Sequence, residues 1–283
     1  MKPTSNSHKP WVLISGATSG FGEATALTLS RSGWNVLLSG RRQTRLEQVA
    51  ESCKAHGAEA HIFAWDVRDR EATDHGVAQL MDAAGLGTDS SEAKLHALVN
   101  NAGLEYPGSI IDGQMDRWRE MVNTNILALL AGCQAGVKAM RTCGSQGHIV
   151  NVSSVSAQRP NSGVYGATKH AVNVISSSLR DELENDDIRI TNVLPGATST
   201  NFARNFPPAF AEQFISAAGL DIPFTPGQPL PAETLDTLAN NLKPMLCNPI
   251  DVANAVIYAV SQPINVNIAE IVVRPPRAMN VAH

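Results

Sequence analysis

Long apolar runs are missing from this 283-residue chain. Nowhere do about 18 apolar residues follow one another, so no membrane-spanning helix is expected. The N-terminus, Met1 to Pro10, is polar and lacks the apolar centre of a signal peptide. It reads as a flexible lead-in to a cytoplasmic protein. Cysteine is scarce and dispersed: Cys53, Cys133, Cys143 and Cys247 form no CxxC pair and no Cys/His cluster with zinc spacing, so reduced thiols are expected rather than a disulfide framework. The eight histidines are scattered, and His56 and His61 flank a turn without a carboxylate ligand pattern. No metal is implied. Charged residues make up 17% of the chain, the net charge is −4, and Lys and Arg form no blocks. Nucleic acid and anionic membranes are therefore not expected partners.

The chain is 43% apolar, enough for a sizeable core. Short apolar runs alternate with helix-length amphipathic stretches almost throughout. The expected strands are Trp11–Ser15, Asn35–Ser39, Glu59–Trp65, Leu95–Val99, His148–Val152, Ile188–Leu194 and Ile268–Val273. Expected helices span Gly20–Ser32, Gln43–His56, Asp69–Ala84, Met115–Met121, Asn123–Arg141, Val164–Glu184 and Pro249–Ser261. Such alternation predicts an α/β fold, a doubly wound parallel sheet of the Rossmann type forming a single domain over residues 11–283. Ligands of such sheets bind beyond the carboxyl ends of the strands. Gly85–Ala93 reads as a polar surface extension. The stretch 198–248 breaks the rhythm with seven prolines and short helical pieces at Ala209–Ala218 and Ala232–Asn241; it is expected to be a substrate lid inserted in the domain.

The first strand runs into Ser15-Gly16-Ala17-Thr18-Ser19-Gly20-Phe21-Gly22. Glycines there permit a tight turn and close approach of a pyrophosphate, whose charge a helix N-terminus favours. Gly16, Thr18, Ser19, Gly20, Phe21 and Gly22 are thus candidate cofactor contacts, although the GxxxGxG spacing alone is a weak signal. The second strand ends Ser39-Gly40-Arg41-Arg42. NAD-selective sites usually offer a carboxylate here to the ribose 2′-hydroxyl. This chain has glycine followed by two arginines, and a guanidinium pairs with a 2′-phosphate. NADP(H) is therefore the expected cofactor, with Arg41 and Arg42 as its ligands; Arg42 alternatively is a solvated loop charge. Asp66 and Val67 follow the third strand as candidate adenine contacts, and Asp66 is alternatively a helix cap.

Tyr165 and Lys169 stand four apart and share a helix face. A phenol with a pKa near 10 transfers protons poorly at neutral pH. A neighbouring ammonium, together with the positive nicotinamide ring of the oxidised complex, favours the phenolate, and a drop of about three units requires roughly 4 kcal/mol of differential interaction. Tyr165 is then a candidate general acid/base.

Together these features resemble the single-domain branch of the short-chain dehydrogenase/reductase family over nearly the whole chain. The resemblance rests on Gly16, Gly20 and Gly22; Asn100-Asn101-Ala102-Gly103; Asn125; Ser153-Ser154; Tyr165-Gly166-Ala167-Thr168-Lys169; and Pro195-Gly196. It implies that Tyr165 is the acid/base and that Lys169 binds the nicotinamide ribose. A serine steadies the substrate oxygen, and Asn125 holds a relay water. Asn101, Ala102 and Gly103 support the cofactor cleft, Pro195 and Gly196 border it, and Thr198 or Thr200 touches the carboxamide or phosphates. The loop between Ser154 and Tyr165 is two residues shorter than the family's usual spacing. Ser154 is the first choice for the serine, with Ser153 and Ser156 as alternatives. Ser39-Gly40-Arg41-Arg42 and the run from Asn267 to Pro275 resemble bacterial NADP-dependent reductases of the serine-dehydrogenase-like group.

The expected reaction is hydride transfer between NADP(H) and the carbonyl/alcohol group of a small organic substrate. A non-catalytic NADP(H)-binding regulator on the same fold is the alternative from another class. A sugar-nucleotide epimerase or dehydratase is disfavoured by the glycine spacing. Phe202, Phe206, Phe210, Phe214 and Phe224 either face the pocket or form the lid's own core. The resemblance also implies a homodimer or homotetramer built on the helices at Asn123–Arg141 and Val164–Glu184.

Overall fold

The structure, a computed structural model, describes residues 9–86, 93–206 and 208–277, without the side chains of 202, 203 and 210. Of the expected flexible lead-in only Lys9 and Pro10 are described, and most of the polar extension also lies outside the described residues. The Pro10 carbonyl accepts from the Asn35 amide at 2.8 Å.

Seven strands, β1 (Trp11–Ile14), β2 (Asn35–Gly40), β3 (Ala60–Ala64), β4 (Leu95–Asn100), β5 (Gly147–Val152), β6 (Ile188–Pro195) and β7 (Glu270–Val273), form one sheet. Their order is β3-β2-β1-β4-β5-β6-β7, and every pairing is parallel. The helices are α1 (Gly20–Arg31), α2 (Gln43–Lys54), α3 (Arg70–Ala83), α4 (Met115–Val122), α5 (Ala128–Thr142), α6 (Gly163–Glu182), α7 (Pro208–Ala217), α8 (Ala232–Asn241) and α9 (Pro249–Val260). A π-helical turn, Asn123–Leu127, joins α4 to α5. Expected and observed boundaries agree to within two residues, except that the helix expected from Asn123 begins with this π turn and is α-helical only from Ala128. No helix among the described residues is long and apolar enough to cross a membrane.

Because parallel strands are covered on both faces, they are apolar at successive positions. Along β1, Leu13 enters the core that includes Leu98, Ile149 and Ile190, whereas Val12 and Ile14 enter the opposite core with Val36, Leu38 and Val99. Fixed helix starts seat the layers. The Asp69 carboxylate accepts from the Ala72 amide at 2.9 Å and caps α3. Asn248 and Asp251 form a reciprocal capping box on α9. Asp66, read from sequence as a possible cap, is instead held by Arg68. The strand order reverses between β1 and β4, which opens a crevice at their carboxyl ends.

The insertion is fastened at its neck. The Cys247 amide donates to Ala197 at 3.0 Å, and the Ser199 amide donates to Cys247 at 3.1 Å. Inside it, Ala211, Ile215 and Phe224 form a small buried cluster, and Ala218, Leu238 and Leu242 form another. Asn201 ties the start of the segment to its middle, bonding both the amide and the carbonyl of Leu230, at 2.7 and 3.2 Å.

Candidate active site

A cleft of about 1190 Å³ lies over the crevice. Its floor at one end is the turn between β1 and α1, where Gly16 and Gly20 adopt φ of +66° and +57°. A Cβ at Gly16 would stand 2.9 Å from the Asn101 amide nitrogen, so backbone alone fits between the turn and the loop after β4. Asn101 clasps the two: its side-chain amide donates to Ser15 and Gly16 carbonyls at 3.0 and 3.1 Å. In return the Ser15 hydroxyl accepts from the Asn101 and Ala102 amides. No side chain caps α1 after Ser19, which leaves its first amides available to an anion.

The end of β2 supplies the next wall. A Cβ on Gly40 would come within 2.8 Å of the Thr18 methyl, so a carboxylate side chain cannot stand here without displacing Thr18. Arg41 is exposed, lines the cleft and has no hydrogen bond or ion pair among the described residues. Arg42 is different. Its guanidinium donates to the Thr18 carbonyl at 3.2 Å and does not line the cleft, because the bond draws it beneath the turn. Arg204, from the 3-10 turn Asn201–Asn205, lines the cleft and feels the charges of Arg41 and Arg42. Asp66 and Val67 also line it, the Asp66 carboxylate held by Arg68 at 2.6 Å and kept below its ordinary pKa by that hydrogen bond. Arg41 and Arg204 beside a side-chain-free β2 terminus fit a phosphorylated ribose.

At the other end stand the groups with acid–base chemistry. β5 closes with Ser153 and Ser154, and the two face different ways. Ser153 donates to Asn173 at 2.7 Å and to the Lys169 carbonyl at 3.2 Å, so it joins β5 to α6. Ser154 accepts from the Ser156 amide at 3.1 Å and hydrogen-bonds Tyr165. Ser156 thus positions its neighbour through its backbone. Tyr165 and Lys169, one turn apart on α6, both line the cleft and are buried. The Lys169 ammonium donates to the Val152 carbonyl at 2.8 Å, and burial brings its pKa down to about 8.

The protein's own groups hold the proton on Tyr165. Burial raises its phenol, the Glu105 carboxylate raises it further, and the Ser154 hydrogen bond opposes them. The lowering expected from the sequence relies on the positive nicotinamide ring as well as on Lys169.

Gly103, Asn101, Ala102, Pro195, Gly196, Thr198 and Thr200 all line the cleft, as do Thr18, Ser19, Gly20 and Phe21. Gly22 and Asn125 do not. A Cβ on Gly22 would lie 2.3 Å from the Gly16 carbonyl, so Gly22 serves the close packing of the turn on α1. Asn125 lies in the π turn, a distortion common at functional sites. Its amide donates to the Leu104 carbonyl and Thr168 hydroxyl at 2.9 and 3.0 Å, and its oxygen accepts from the Leu104 amide at 3.0 Å. In the insertion Phe206, Phe214 and Phe224 line the cleft, and Phe214 and Phe224 also take part in its two apolar clusters. The side chains of Phe202 and Phe210 lie outside the described residues. Arg204 and Glu105 are among the cleft residues that the sequence motifs do not single out. Arg204 lies in the irregular insertion, and Glu105 stands two places beyond Asn100-Asn101-Ala102-Gly103, where an acid next to a glycine-rich cleft was the available signal. Among the described residues no His, Cys, Asp and Glu cluster could hold a metal.

A sequence profile of the short chain dehydrogenase family matches residues 10–209. Sulfoacetaldehyde reductase 2 of Chromohalobacter salexigens is 32% identical over 269 residues, covering 94% of this chain and 94% of that protein. Serine 3-dehydrogenase of Agrobacterium fabrum is 33% identical over 268 residues, covering 93% of each. Among solved structures, the closed form of serine dehydrogenase complexed with NADP+ matches with a TM-score of 0.73 at 29% identity, covering 96% of this chain and 98% of that one.

Proposed function

The chain belongs to the short-chain dehydrogenase family of oxidoreductases, and on that premise we propose that it moves a hydride between NADP(H) and the carbonyl/alcohol group of a small organic substrate. The observation that carries this reading is one cleft holding the Ser154–Tyr165–Lys169 group at one end and the unpaired Arg41 at the other. Relatives that reduce sulfoacetaldehyde or oxidise serine, and one solved with NADP+, support it.

The cofactor, when bound, supplies or accepts the hydride. Arg41 pairs with its 2′-phosphate, Arg42 braces the turn beneath it, and the first amides of α1 receive the pyrophosphate. Ser154 donates to the substrate oxygen, which holds that atom beside the Tyr165 hydroxyl as negative charge grows on it. In reduction Tyr165 gives its proton to that oxygen. The phenol, kept protonated by burial, is in the right state to do so. Lys169 stabilises the phenolate left behind, and Asn125 fixes the loop and helix between which that charge develops. In the same reading Val122, Leu127 and Val174, apolar and exposed on α4, the π turn and α6, belong to a subunit interface of a dimer or tetramer.

Titrating the purified protein with NADPH and NADH, followed by nicotinamide fluorescence, tests the cofactor. A panel of ketones and aldehydes, followed by NADPH consumption, tests the chemistry. Preferential NADPH binding with turnover of a carbonyl is the expected result. Binding of neither nucleotide sinks the reading, and NADPH binding without turnover of any carbonyl favours a regulator.

A further inference from the structure

Glu105 is the acidic group of the reacting half of the cleft. It stands on the loop after β4 with its backbone pinned on both sides: Asn125 bonds the amide and carbonyl of Leu104, and the Asn205 side chain donates to the Glu105 carbonyl at 3.2 Å. The side chain lines the cleft, close enough for its charge to act on both Tyr165 and Lys169. Among the described residues nothing hydrogen-bonds or ion-pairs with its carboxylate. Lys169, the cation whose charge it feels, has its ammonium on the Val152 carbonyl. Burial accordingly pushes the carboxyl up to about 7.

A part-buried carboxylate with no hydrogen-bond partner among the described residues is stabilised by a donor, best of all a cation. Asn125 and Asn205 hold the backbone on either side of it, which keeps the carboxylate in the reacting half of the cleft. A cationic group on a ligand seated there would supply the donor. Resting on the proposed oxidoreductase reading, we propose that Glu105 binds an ammonium group carried by the substrate close to its reacting carbon, so that the natural substrate pair is an amino alcohol and the corresponding amino carbonyl compound. A substrate bearing a sulfonate, carboxylate or phosphate at that same position is repelled by Glu105 and is selected against.

The test uses a matched pair, 1-amino-2-propanol and 2-butanol, which differ by an ammonium in place of a methyl group. With NADP+ the intact protein is expected to favour the amine in kcat/KM by about 30-fold or more, the low end of what one partner of a buried charge pair contributes. Glu105→Gln removes the charge at constant size and is expected to erase that preference, while Glu105→Asp restores part of it. The readout is the ratio between the two alcohols, which a merely structural loss lowers for both alike. Equal use of both alcohols by the intact protein overturns the proposal, as does a ratio unchanged in Glu105→Gln or a preference of the intact protein for sulfoacetaldehyde over an amino carbonyl compound. Calorimetric binding of 1-amino-2-propanol to the NADPH-loaded protein separates this inference from the oxidoreductase reading. Binding that depends on Glu105 without any turnover retains the ammonium site and sinks the reaction; turnover of 2-butanol with no amine binding does the reverse.

Discussion

The Lys169 ammonium donates to the Val152 carbonyl at 2.8 Å, so a buried cation on α6 is moored to the last residue of β5, just before Ser153 and Ser154. The mooring fixes the separation between the lysine and the serine wall. It also makes Lys169 structural as well as electrostatic, and its replacement acts on both.

Tyr165→Phe removes the transferable proton but leaves the packing of α6 intact. Turnover is expected to fall about 10²- to 10⁴-fold, with NADPH affinity retained. Steady-state kinetics beside fluorescence titration checks this. Lys169→Met is expected to lose turnover and also stability, since the Val152 carbonyl is left buried without its donor. A Tyr165→Phe variant that turns over normally removes Tyr165 from the acid–base role.

The two serines give opposite outcomes. Ser154→Ala is expected to reduce kcat about 10²-fold with little change in melting temperature. Ser153→Ala loses its bonds to Asn173 and Lys169, which costs about 1 kcal/mol of stability and leaves kcat nearly unchanged. Measuring kcat and chemical denaturation for both variants decides; the reverse pattern exchanges their roles.

Cofactor choice rests on Arg41 more than on Arg42. Arg41→Ala is expected to weaken NADPH binding about 10- to 100-fold, as loss of a charged hydrogen bond does, with NADH affinity unchanged. Arg42→Ala loosens the turn through Thr18 and is expected to weaken both nucleotides alike. Titration of each variant with both nucleotides tests the distinction, and equal losses for Arg41→Ala refute its pairing with a 2′-phosphate.

Acid sensitivity follows from His148. Its ring is buried, bonded to Thr191 at 2.7 Å, and burial, aided by Arg189, lowers its pKa to about 3. The unfolded chain takes up this proton near pH 6.5. The stability His148 contributes is therefore fully present above about 6.5 and is lost as the pH falls from there toward 3, at about 1.4 kcal/mol per unit. Urea denaturation at pH 7 and pH 5 is expected to show a steeper loss for the native protein than for His148→Gln. Equal slopes contradict a neutral buried imidazole.

Sequence patterns reveal the sheet because strands buried on both faces leave uninterrupted apolar runs such as Trp11–Ile14. The lid was legible as an interruption, yet its internal packing was not: prolines mark irregular backbone but do not say which leucines and phenylalanines meet. The π turn at Asn123–Leu127 is equally silent, since the helical periodicity runs through it without a distinctive residue. Ser153 and Ser154 are adjacent and chemically identical, and only the path of the chain just after β5 sends one to Lys169 and Asn173 and the other to Tyr165. Asp66 and Asp69 pose the same ambiguity at the start of α3, resolved by which carboxylate reaches the Ala72 amide. The missed Glu105 shows the limit of motif reading. Its charge matters because of Tyr165 and Lys169, which are remote in sequence and adjacent only after folding.

The neck formed by Ala197, Ser199 and Cys247 brings the two ends of the insertion together at one place on the domain. Closing a longer or shorter segment at such a fixed point changes the entropy of the chain only slightly. The span between can therefore gain, lose or exchange residues over generations without disturbing the register of β6 against β7 or the seating of α6. Descent can thus retain one reaction and replace its clientele, with the insertion behaving as an exchangeable cassette on an inherited chemical frame.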